Sequence, residues 1–484
     1  MTNKTDVLLI GAGIMSATLA TLLSELDPTL KITIIEALDI PAGESSAAWN
    51  NAGTGHAGLC ELNYTPMKDG KIDIHKALDV TEQFEVSKQF WSYLTLKNIL
   101  KPSEFIHHVP HMSFVTGDAN KKLLFERHIE MTKHHFYQEM EYTDDVNRIS
   151  SWAPLITNGR TNNNIALTSM HKGTDVNFGV ITTSMMSKFS SCTSYNTAVV
   201  DIKKNNKNNT WEVKTKNSEN VKNKIEANFV FIGAGGASLL LLEKANIKEG
   251  RGYGGFPVSG MWLKCTNREI INKHFAKIYG MAEVGTPPMS MPHLDTRVIN
   301  GQKELLFGPF AGFTTKFLMN GSKLDLPHSV SISNILPMLS AFKNNLPLSK
   351  YLIHQLSLSL MDRIEELKKF APESTIHDWQ LKMAGQRVQV IKNENGKGVI
   401  EFGTEIVNSA DGTLATILGA SPGASTSVKI IIDVIKKCFP KQYGTAAWQS
   451  KLREMIPSFG VNLSQNKELF NDVEIHTTNV LNLL

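Results

Sequence analysis

A short glycine-rich turn near the N-terminus has the residue types and spacing of a dinucleotide-binding site. It reads Gly11-Ala-Gly13-Ile-Met-Ser16. Gly11 permits a tight turn, Gly13 lets the backbone approach a pyrophosphate, and the following helix offers N–H groups and a positive dipole end to the phosphates. Ser16 replaces the usual third glycine and is still small enough for close helix–strand packing. Glu36 is placed to accept hydrogen bonds from ribose hydroxyls.

The elements around this turn form a βαβ unit. The apolar run 6–10 is typical of a buried strand, residues 14–26 favour a helix, and residues 31–35 favour a second strand. Because a helix joins the two strands, the predicted sheet is parallel. Strand, helix and acidic residue together predict dinucleotide binding, and the alternative is a plain glycine turn with an exposed glutamate.

Three further segments have sequences that suit a nucleotide site. A small-residue loop follows Glu36, a hairpin at 198–216 leads to a strand at 227–232 that ends in glycines, and a C-terminal glycine segment precedes an apolar helix. We expect these segments to contact the cofactor through Ser45, Ser46, Asn51, Gly53, Gly233, Gly235, Gly419, Gly423, Ala424 and Ser425.

This three-part arrangement resembles the large FAD-dependent flavoproteins that oxidise amines and hydroxy acids. In those proteins the C-terminal glycine segment places a helix N-terminus at the pyrimidine edge of the flavin. The helix dipole then stabilises negative charge on the reduced ring. The resemblance therefore implies FAD as the cofactor.

The malate:quinone oxidoreductase family gives a closer resemblance, which extends over nearly the whole chain in the order that this family shows. It implies oxidation of (S)-malate to oxaloacetate, a step of the tricarboxylic acid cycle, with electrons passed through FAD to a membrane quinone and no need for nicotinamide. The segments that carry it are residues 11–22, 49–66, 110–115, 252–260, 292–297, 383–390 and 411–426.

The segment Pro292-His293-Leu-Asp295-Thr-Arg297 is the best cluster for this reaction. Histidine suits a base that takes the hydroxyl proton because its pKa lies near working pH, and the planar fork of arginine suits a carboxylate. In a strand these three side chains would share one face, so that Asp295 orients His293 with Arg297 beside it. In a loop this argument would not hold.

Other residues compete for the same roles. Arg387 is the second candidate for binding a carboxylate, and Gln386 beside it could hydrogen-bond the substrate. His56, in the loop after Glu36, ranks second as the base, and His111 ranks third. For either arginine the alternative is a structural ion pair, and for a single histidine it is a packed or surface position.

The composition excludes several classes of protein. The chain has 484 residues, 42% hydrophobic and 20% charged, which predicts a globular protein of more than one domain. Its net charge of +4 does not indicate a nucleic-acid binder. Four dispersed cysteines without a C-x-x-C pair argue against a metal site and fit a reducing cytoplasm.

Membrane contact, if any, is expected to be peripheral. The sequence lacks a secretory signal and an uninterrupted apolar stretch of about 18 residues. The amphipathic stretch 335–370 carries lysines beside its apolar positions. Its apolar face either packs in the core or lies on a membrane where a quinone is reached.

We therefore predict an α/β protein, α+β overall, with a Rossmann-like FAD-binding domain and a mostly antiparallel-sheet substrate domain. The FAD domain would comprise residues 1–75, 150–250 and 380–484, and the substrate domain residues 76–149 and 251–379. We expect a cytoplasmic protein, peripheral on the cytoplasmic face of the inner membrane, with no obligate protein partner. The alternatives are a related FAD-dependent dehydrogenase or oxidase, such as a 2-hydroxyglutarate dehydrogenase, and a non-catalytic or RNA-associated dinucleotide-binding protein.

Overall fold

The computed structural model describes residues 3–281, 291–394, 396–401, 403–419 and 423–483. Every candidate site residue named above lies within these ranges. Residues 420–422 of the C-terminal glycine segment lie outside them.

The described strands, in chain order, are β1 (Asn3–Ile10), β2 (Ile32–Ile35), β3 (Met67–Lys68), β4 (Lys71–Ile72), β5 (Ile106–His108), β6 (His111–Thr116), β7 (Glu141–Thr143), β8 (Ile165–Met170), β9 (Thr174–Val176), β10 (Thr193–Ser194), β11 (Thr197–Asn205), β12 (Thr210–Asn217), β13 (Lys222–Ile232), β14 (Gly254–Cys265), β15 (Lys277–Tyr279), β16 (His293–Ile299), β17 (Gln302–Phe313), β18 (Trp379–Glu394), β19 (Lys397–Glu401), β20 (Thr404–Asn408) and β21 (Leu414–Gly419).

The described α-helices, in chain order, are α1 (Ile14–Leu26), α2 (His75–Leu96), α3 (Pro102–Phe105), α4 (Asp118–Thr132), α5 (Val146–Trp152), α6 (Pro154–Thr157), α7 (Phe178–Ser187), α8 (Ser238–Ala245), α9 (Arg268–Asn272), α10 (Asp325–His328), α11 (Ile335–Asn344), α12 (Leu346–Ser357), α13 (Leu360–Lys368), α14 (Ser427–Cys438), α15 (Pro440–Tyr443), α16 (Ala446–Met455) and α17 (Lys467–Val480).

The first sheet is built on parallel strands around β1. Its strands follow the order β10, β2, β1, β13, β12, β11, in which the first four are parallel and the last two form an antiparallel hairpin. The end of β13 also pairs in parallel with β21, which brings the C-terminal segment back to this sheet. The last residues of the central strands, 7–10 of β1 and 229–232 of β13, are apolar because both of their faces pack in a core.

The second sheet is mostly antiparallel. The order of its strands is β19, β18, β14, β17, β16, β15, β6, β8, β7, and β15 with β6 is its parallel pair. The first of two large cores joins α1, α2, α7 and α14 beneath the first sheet. The second core packs α5, α6 and α13 against the second sheet.

The βαβ unit, the hairpin and the two-sheet α/β fold are confirmed. α1 begins and ends at the predicted residues, because apolar side chains surround it and an aspartate–proline pair follows it. Among the described residues, no helix combines the length and the apolar character needed to cross a bilayer.

The division of the chain into domains stays a prediction, and several segments pack with a different sheet or core from the one that its boundaries suggest. β8 and β18 pair with strands of the second sheet, although the boundaries give nearly all of both to the FAD domain. α2 packs in the core of the first sheet, although it was given to the substrate domain. Apolar periodicity shows that a segment is buried, but it does not show which sheet buries it.

Candidate active site

A cavity of about 840 Å³ begins where β1, β2 and β13 end. Its lining continues along the loop after β2 and reaches β18 and the segment before α14. The elements that meet there are the three glycine-bearing segments singled out in the sequence. The volume lies within the range of cavities that hold organic ligands and cofactors.

The glycine turn at the start of the cavity leaves no room for side chains. Gly11 has a φ of +95°, and a Cβ built on it would lie 2.5 Å from the carbonyl oxygen of Gly233. A Cβ on Gly233 would in turn overlap Oγ of Ser16, so this serine keeps the close packing of helix and strand. Glycine is therefore required on both sides of this contact.

Polar groups that suit a dinucleotide surround this turn. The carboxylate of Glu36 accepts hydrogen bonds from the N–H groups of Ala12 (2.6 Å) and Leu38 (2.9 Å), and burial raises its pKa. The N–H of Ile14, in the first turn of α1, donates to Oγ of Ser46 at 3.1 Å. Gly13 precedes this helix without a capping side chain, which leaves the helix N-terminus open to a phosphate.

The loop after β2 is held by its own side chains. Asn51 donates from Nδ2 to the carbonyls of Ser45 (3.0 Å) and Ala47 (2.9 Å), and its Oδ1 accepts the N–H of Gly53 at 3.0 Å. Gly53 has a φ of +60°, and a Cβ there would overlap the guanidinium of Arg297. The predicted polar residues of this loop therefore shape the cavity wall.

The C-terminal segment also reaches the cavity. Gly419, Gly423, Ala424 and Ser425 line it, and α14 begins two residues later at Ser427. Gly233 and Gly235, which follow β13, line the cavity as well. The glycine cradle, the helix N-terminus and the buried acid fit a dinucleotide such as FAD.

His56 and Glu61 form a histidine–carboxylate pair at this cavity. His56 lines the cavity with a side chain that is 15% exposed, and its Nδ1 contacts Oε1 of the buried Glu61. Burial alone would raise the pKa of Glu61, but the neighbouring His56 lowers it to about 2. The carboxylate can therefore orient the imidazole and stabilise its protonated form. Sequence reasoning missed Glu61, although it lies only five residues after His56.

His293, Asp295 and Arg297 lie on one strand, β16, as the sequence argument required. Nδ1 of His293 lies 2.7 Å from Oδ2 of Asp295, in hydrogen-bond contact. The ring of His293 stacks on the ring of Tyr279, with centroids 4.3 Å apart. Burial would raise the pKa of Asp295, but His293, Lys277 and Arg297 together lower it. Within the described part of the chain, His293 is not a lining residue of the cavity.

Arg297 occupies a different environment from a substrate-binding arginine. Its side chain is fully buried, and its Nε donates to Asp175 at 2.7 Å. Its Nη1 donates to the carbonyls of Ala48 and Asn51 in the cavity loop. The structural ion pair weighed for this residue is therefore present, and it holds the loop.

Arg387 lines the cavity from β18, and its side chain has no ion pair or hydrogen bond to the described residues. Burial lowers the pKa of its guanidinium, and Tyr279 opposes this effect. The amide of Gln386 is used differently: in the orientation that satisfies both of its polar atoms, its nitrogen donates to the carbonyl of Lys316 at 2.8 Å. Arg387 is therefore the cation best placed to receive an anion.

His111 lies away from the cavity. Its ring is buried, and its Nε2 lies 3.0 Å from the carbonyl oxygen of Thr174. Burial lowers its pKa to about 4, so the ring is neutral near pH 7. Within the described part of the chain it does not line the cavity, and it fits a packed position better than that of a base.

The sequence as a whole matches the model of one family. The description of that model is malate:quinone oxidoreductase, and the match covers residues 3–483. The chain belongs to this family. The resemblance drawn from its separate segments is thereby confirmed, and the 2-hydroxyglutarate dehydrogenase alternative is not favoured.

Individual relatives agree with this assignment. A "Probable malate:quinone oxidoreductase" from Flavobacterium psychrophilum is 54% identical, over 99% of this chain and 98% of the relative. Another, from Oceanobacillus iheyensis, is 51% identical, over 100% of this chain and 98% of the relative.

Solved structures of more distant proteins share the fold. Glycine oxidase from Geobacillus kaustophilus aligns with a TM-score of 0.60 at 12% identity, over 92% of this chain and 96% of its own. The L-alpha-glycerophosphate oxidase from Mycoplasma pneumoniae, determined with FAD bound, gives a TM-score of 0.58 at 15% identity, over 90% and 95% of the two chains. Both confirm the two-sheet architecture for this malate:quinone oxidoreductase family member.

Proposed function

We propose that this chain binds FAD, oxidises (S)-malate to oxaloacetate and passes the electrons to a membrane quinone. The observation that carries the proposal is that a single cavity joins the dinucleotide turn to His56 and to Arg387, which lacks a counter-ion among the described residues. The names of the relatives supply malate and quinone as the substrates.

When bound, FAD would supply the acceptor for the hydride from C2 of the substrate and the donor of electrons to the quinone. The turn at Gly11 and Gly13 and the N-terminus of α1 would hold its pyrophosphate, and Glu36 would hold a ribose. The loop around Gly53 and the segment just before α14 would contact the rest of the cofactor, since both line the cavity.

Arg387 binds a carboxylate of malate. A guanidinium makes two parallel hydrogen bonds to a carboxylate, and such a pair is stronger in a site from which water is largely excluded. His56 removes the hydroxyl proton as hydride leaves C2, and Glu61 stabilises the imidazolium that results. The pair of His293 and Asp295 is the second candidate for the base.

The chain meets the membrane through residues 332–357, which comprise α11, α12 and the short turn before them. This surface is called here the α11–α12 face. Ala341, Leu348 and Leu352 hold these helices in a core, so one side of each helix faces the protein. The other side leaves large apolar side chains exposed, namely Ile332, Ile335, Leu336, Leu339, Phe342, Leu346, Ile353 and Leu356.

The charge of the α11–α12 face suits anionic lipid. Ile332, just before α11, is 99% exposed, and Leu336 and Leu339 on α11 are 70% and 61% exposed, so large apolar side chains are clustered on one exposed surface. Between residues 330 and 361 the sequence contains Lys343 and Lys350 but no Asp or Glu. A surface that combines apolar side chains with cations lies in the headgroup region of an anionic membrane. The cytoplasmic face is the side proposed, because the four cysteines are unpaired, as in a reducing compartment.

The central test follows the absorbance of the flavin. Anaerobic addition of malate should bleach the yellow colour of the purified protein, and a soluble quinone should restore it. Arg387→Ala should need about 10- to 100-fold more malate for the same bleaching, since a charge-assisted hydrogen bond contributes about 1.5–3 kcal/mol. Arg251→Ala, at an exposed arginine, is the matched control. A flavin that malate does not bleach, while 2-hydroxyglutarate does, would contradict the proposal.

A further inference from the structure

Four charged side chains lie together behind the cavity loop, fully out of contact with solvent. Asp175, Lys277 and Arg297 have side chains that are 0% exposed, and Asp295 is 1% exposed. Their formal charges sum to zero, since two are acidic and two are basic. These four residues are called here the buried charge cluster. Burying four charges costs free energy that apolar residues would not, so fold stability alone does not explain it.

Asp175 is the shared member of this cluster. Its Oδ1 lies 2.9 Å from Nζ of Lys277 and 2.7 Å from Nε of Arg297. Its Oδ2 accepts the backbone N–H of Val298 at 2.8 Å. Nζ of Lys277 also lies 3.9 Å from Oδ2 of Asp295, which connects the cluster to His293.

Both cations of the cluster bind backbone carbonyls of the cavity loop. Lys277 donates to Ala52 at 2.8 Å, and Arg297 donates to Ala48 and Asn51. The next loop residues are held by β9, since the carbonyl of Gly53 accepts the N–H of Val176 and Thr54 forms a bridge with Asp175. Asn51, Ala52, Gly53 and Thr54 all line the cavity. The cluster therefore determines where this wall of the cavity stands.

The cluster is incompletely hydrogen-bonded. Oδ1 of Asp295 and Nη2 of Arg297 are buried without a partner in the described part of the chain. Buried polar groups of this kind call for an explanation, and a role in a redox or catalytic site is one such explanation. The charge of the cluster therefore matters in addition to its hydrogen bonds.

We propose that Asp175 and Lys277 are positioning residues for the redox reaction, because they fix the cavity loop and keep the charge beside the flavin balanced. This inference rests on the proposed binding of FAD. Reduced flavin carries more negative charge than oxidised flavin, so the net charge of nearby buried groups changes its midpoint potential. Because its charges sum to zero, the cluster shifts this potential less than a cluster with a net charge would.

The test uses variants with opposite changes of charge. Lys277→Met leaves a net negative cluster and should lower the midpoint potential of the bound flavin, whereas Asp175→Asn leaves a net positive cluster and should raise it. Lys277→Arg keeps the charge and should stay near the wild-type value. Lys273→Met removes an exposed lysine four residues away and serves as the control. Spectroelectrochemical titration of each purified holoprotein measures the potential.

A merely structural role predicts a different pattern. If the substitutions only loosen the loop, the midpoint potentials of Lys277→Met and Asp175→Asn should move in the same direction, or neither should move while FAD stays bound. Either result would overturn the inference. If Lys277→Met does not fold, Asp175→Asn decides alone, because an unchanged or lowered potential contradicts the proposal. A wild-type protein that takes up no FAD would instead refute the proposed function, before any variant is compared.

Discussion

Two histidines in this protein each contact a buried carboxylate through Nδ1. His293 pairs with Asp295, two residues away on the same strand, and His56 pairs with Glu61 across a short turn. The difference lies in what each ring faces. His56 lines the cavity, whereas the ring of His293 stacks on Tyr279 at a centroid distance of 4.3 Å. Both histidines are therefore paired with a carboxylate, but only the ring of His56 is placed to reach a substrate in the cavity.

A matched pair of substitutions distinguishes these histidines. His56→Gln should lower kcat for malate by about 10²- to 10⁴-fold, because general base catalysis contributes about that much. His293→Gln should have a smaller effect. Stopped-flow measurement of flavin reduction, together with the flavin spectrum of each variant, gives both values. Normal reduction by His56→Gln, with severe loss in His293→Gln, would transfer the role of the base to His293.

At the scale of elements, α11 and α12 show how one amphipathic stretch takes part in two kinds of contact. The sequence left open whether its apolar face is core or membrane surface. The structure divides it, because Ala341 and Leu352 are buried while Leu336 and Leu339 are exposed on the same pair of helices. The apolar residues exceed what one narrow core-facing stripe can hold, so a second stripe faces outward.

This division predicts the effect of a charge on the outward stripe. Leu339→Glu should weaken binding to vesicles that contain phosphatidylglycerol by about tenfold or more, since an apolar contact worth roughly 1.5–3 kcal/mol is lost and a like charge is added. Ile475→Glu is the matched control, because Ile475 on α17 is also 61% exposed. Co-sedimentation with the vesicles measures the binding.

Two other results would speak against the α11–α12 face as the membrane contact. The first is equal loss of vesicle binding in the two variants. The second is a change from dimer to monomer in Leu339→Glu, measured by light scattering without vesicles, which would assign the face to a second copy of the chain.

At the scale of the whole molecule, buried histidines make stability depend on pH. His111 and His274 are both buried, and burial lowers the pKa of each to about 4. In the unfolded chain each would titrate near 6.5. Below that value the unfolded state binds more protons than the folded state, so stability is complete above about pH 6.5 and is lost as the pH falls toward 4.

The expected slope is about 1.4 kcal/mol per pH unit for each histidine inside this window. The thermal unfolding midpoint of the protein should therefore fall steadily between pH 6.5 and pH 5. His274→Asn should flatten this dependence, and His75→Gln, at a histidine whose side chain is 89% exposed, should leave it unchanged. An unfolding midpoint that is constant across this range would show that the two rings are protonated in the folded protein.

The sequence by itself determined the features that depend on neighbours in the chain. The glycine turn, α1 and the acid after β2 lie within one βαβ unit, whose apolar pattern and helix-ending residues are local. Strand alternation likewise placed His293, Asp295 and Arg297 on one face before any contact was known. The family was recognised because short segments spread along the chain are specific when they are taken together, and the match to the family model over residues 3–483 confirms it.

Only the tertiary structure decided which of these residues meet. Asp175 lies more than a hundred residues before Arg297, yet it joins that arginine and Lys277 at the loop after β2. The tertiary structure also showed that Arg297 holds the loop, whereas Arg387, of the same residue type, lines the cavity. The reason is physical: the role of a charged side chain is set by the solvent and counter-ions around it, and distant segments supply both.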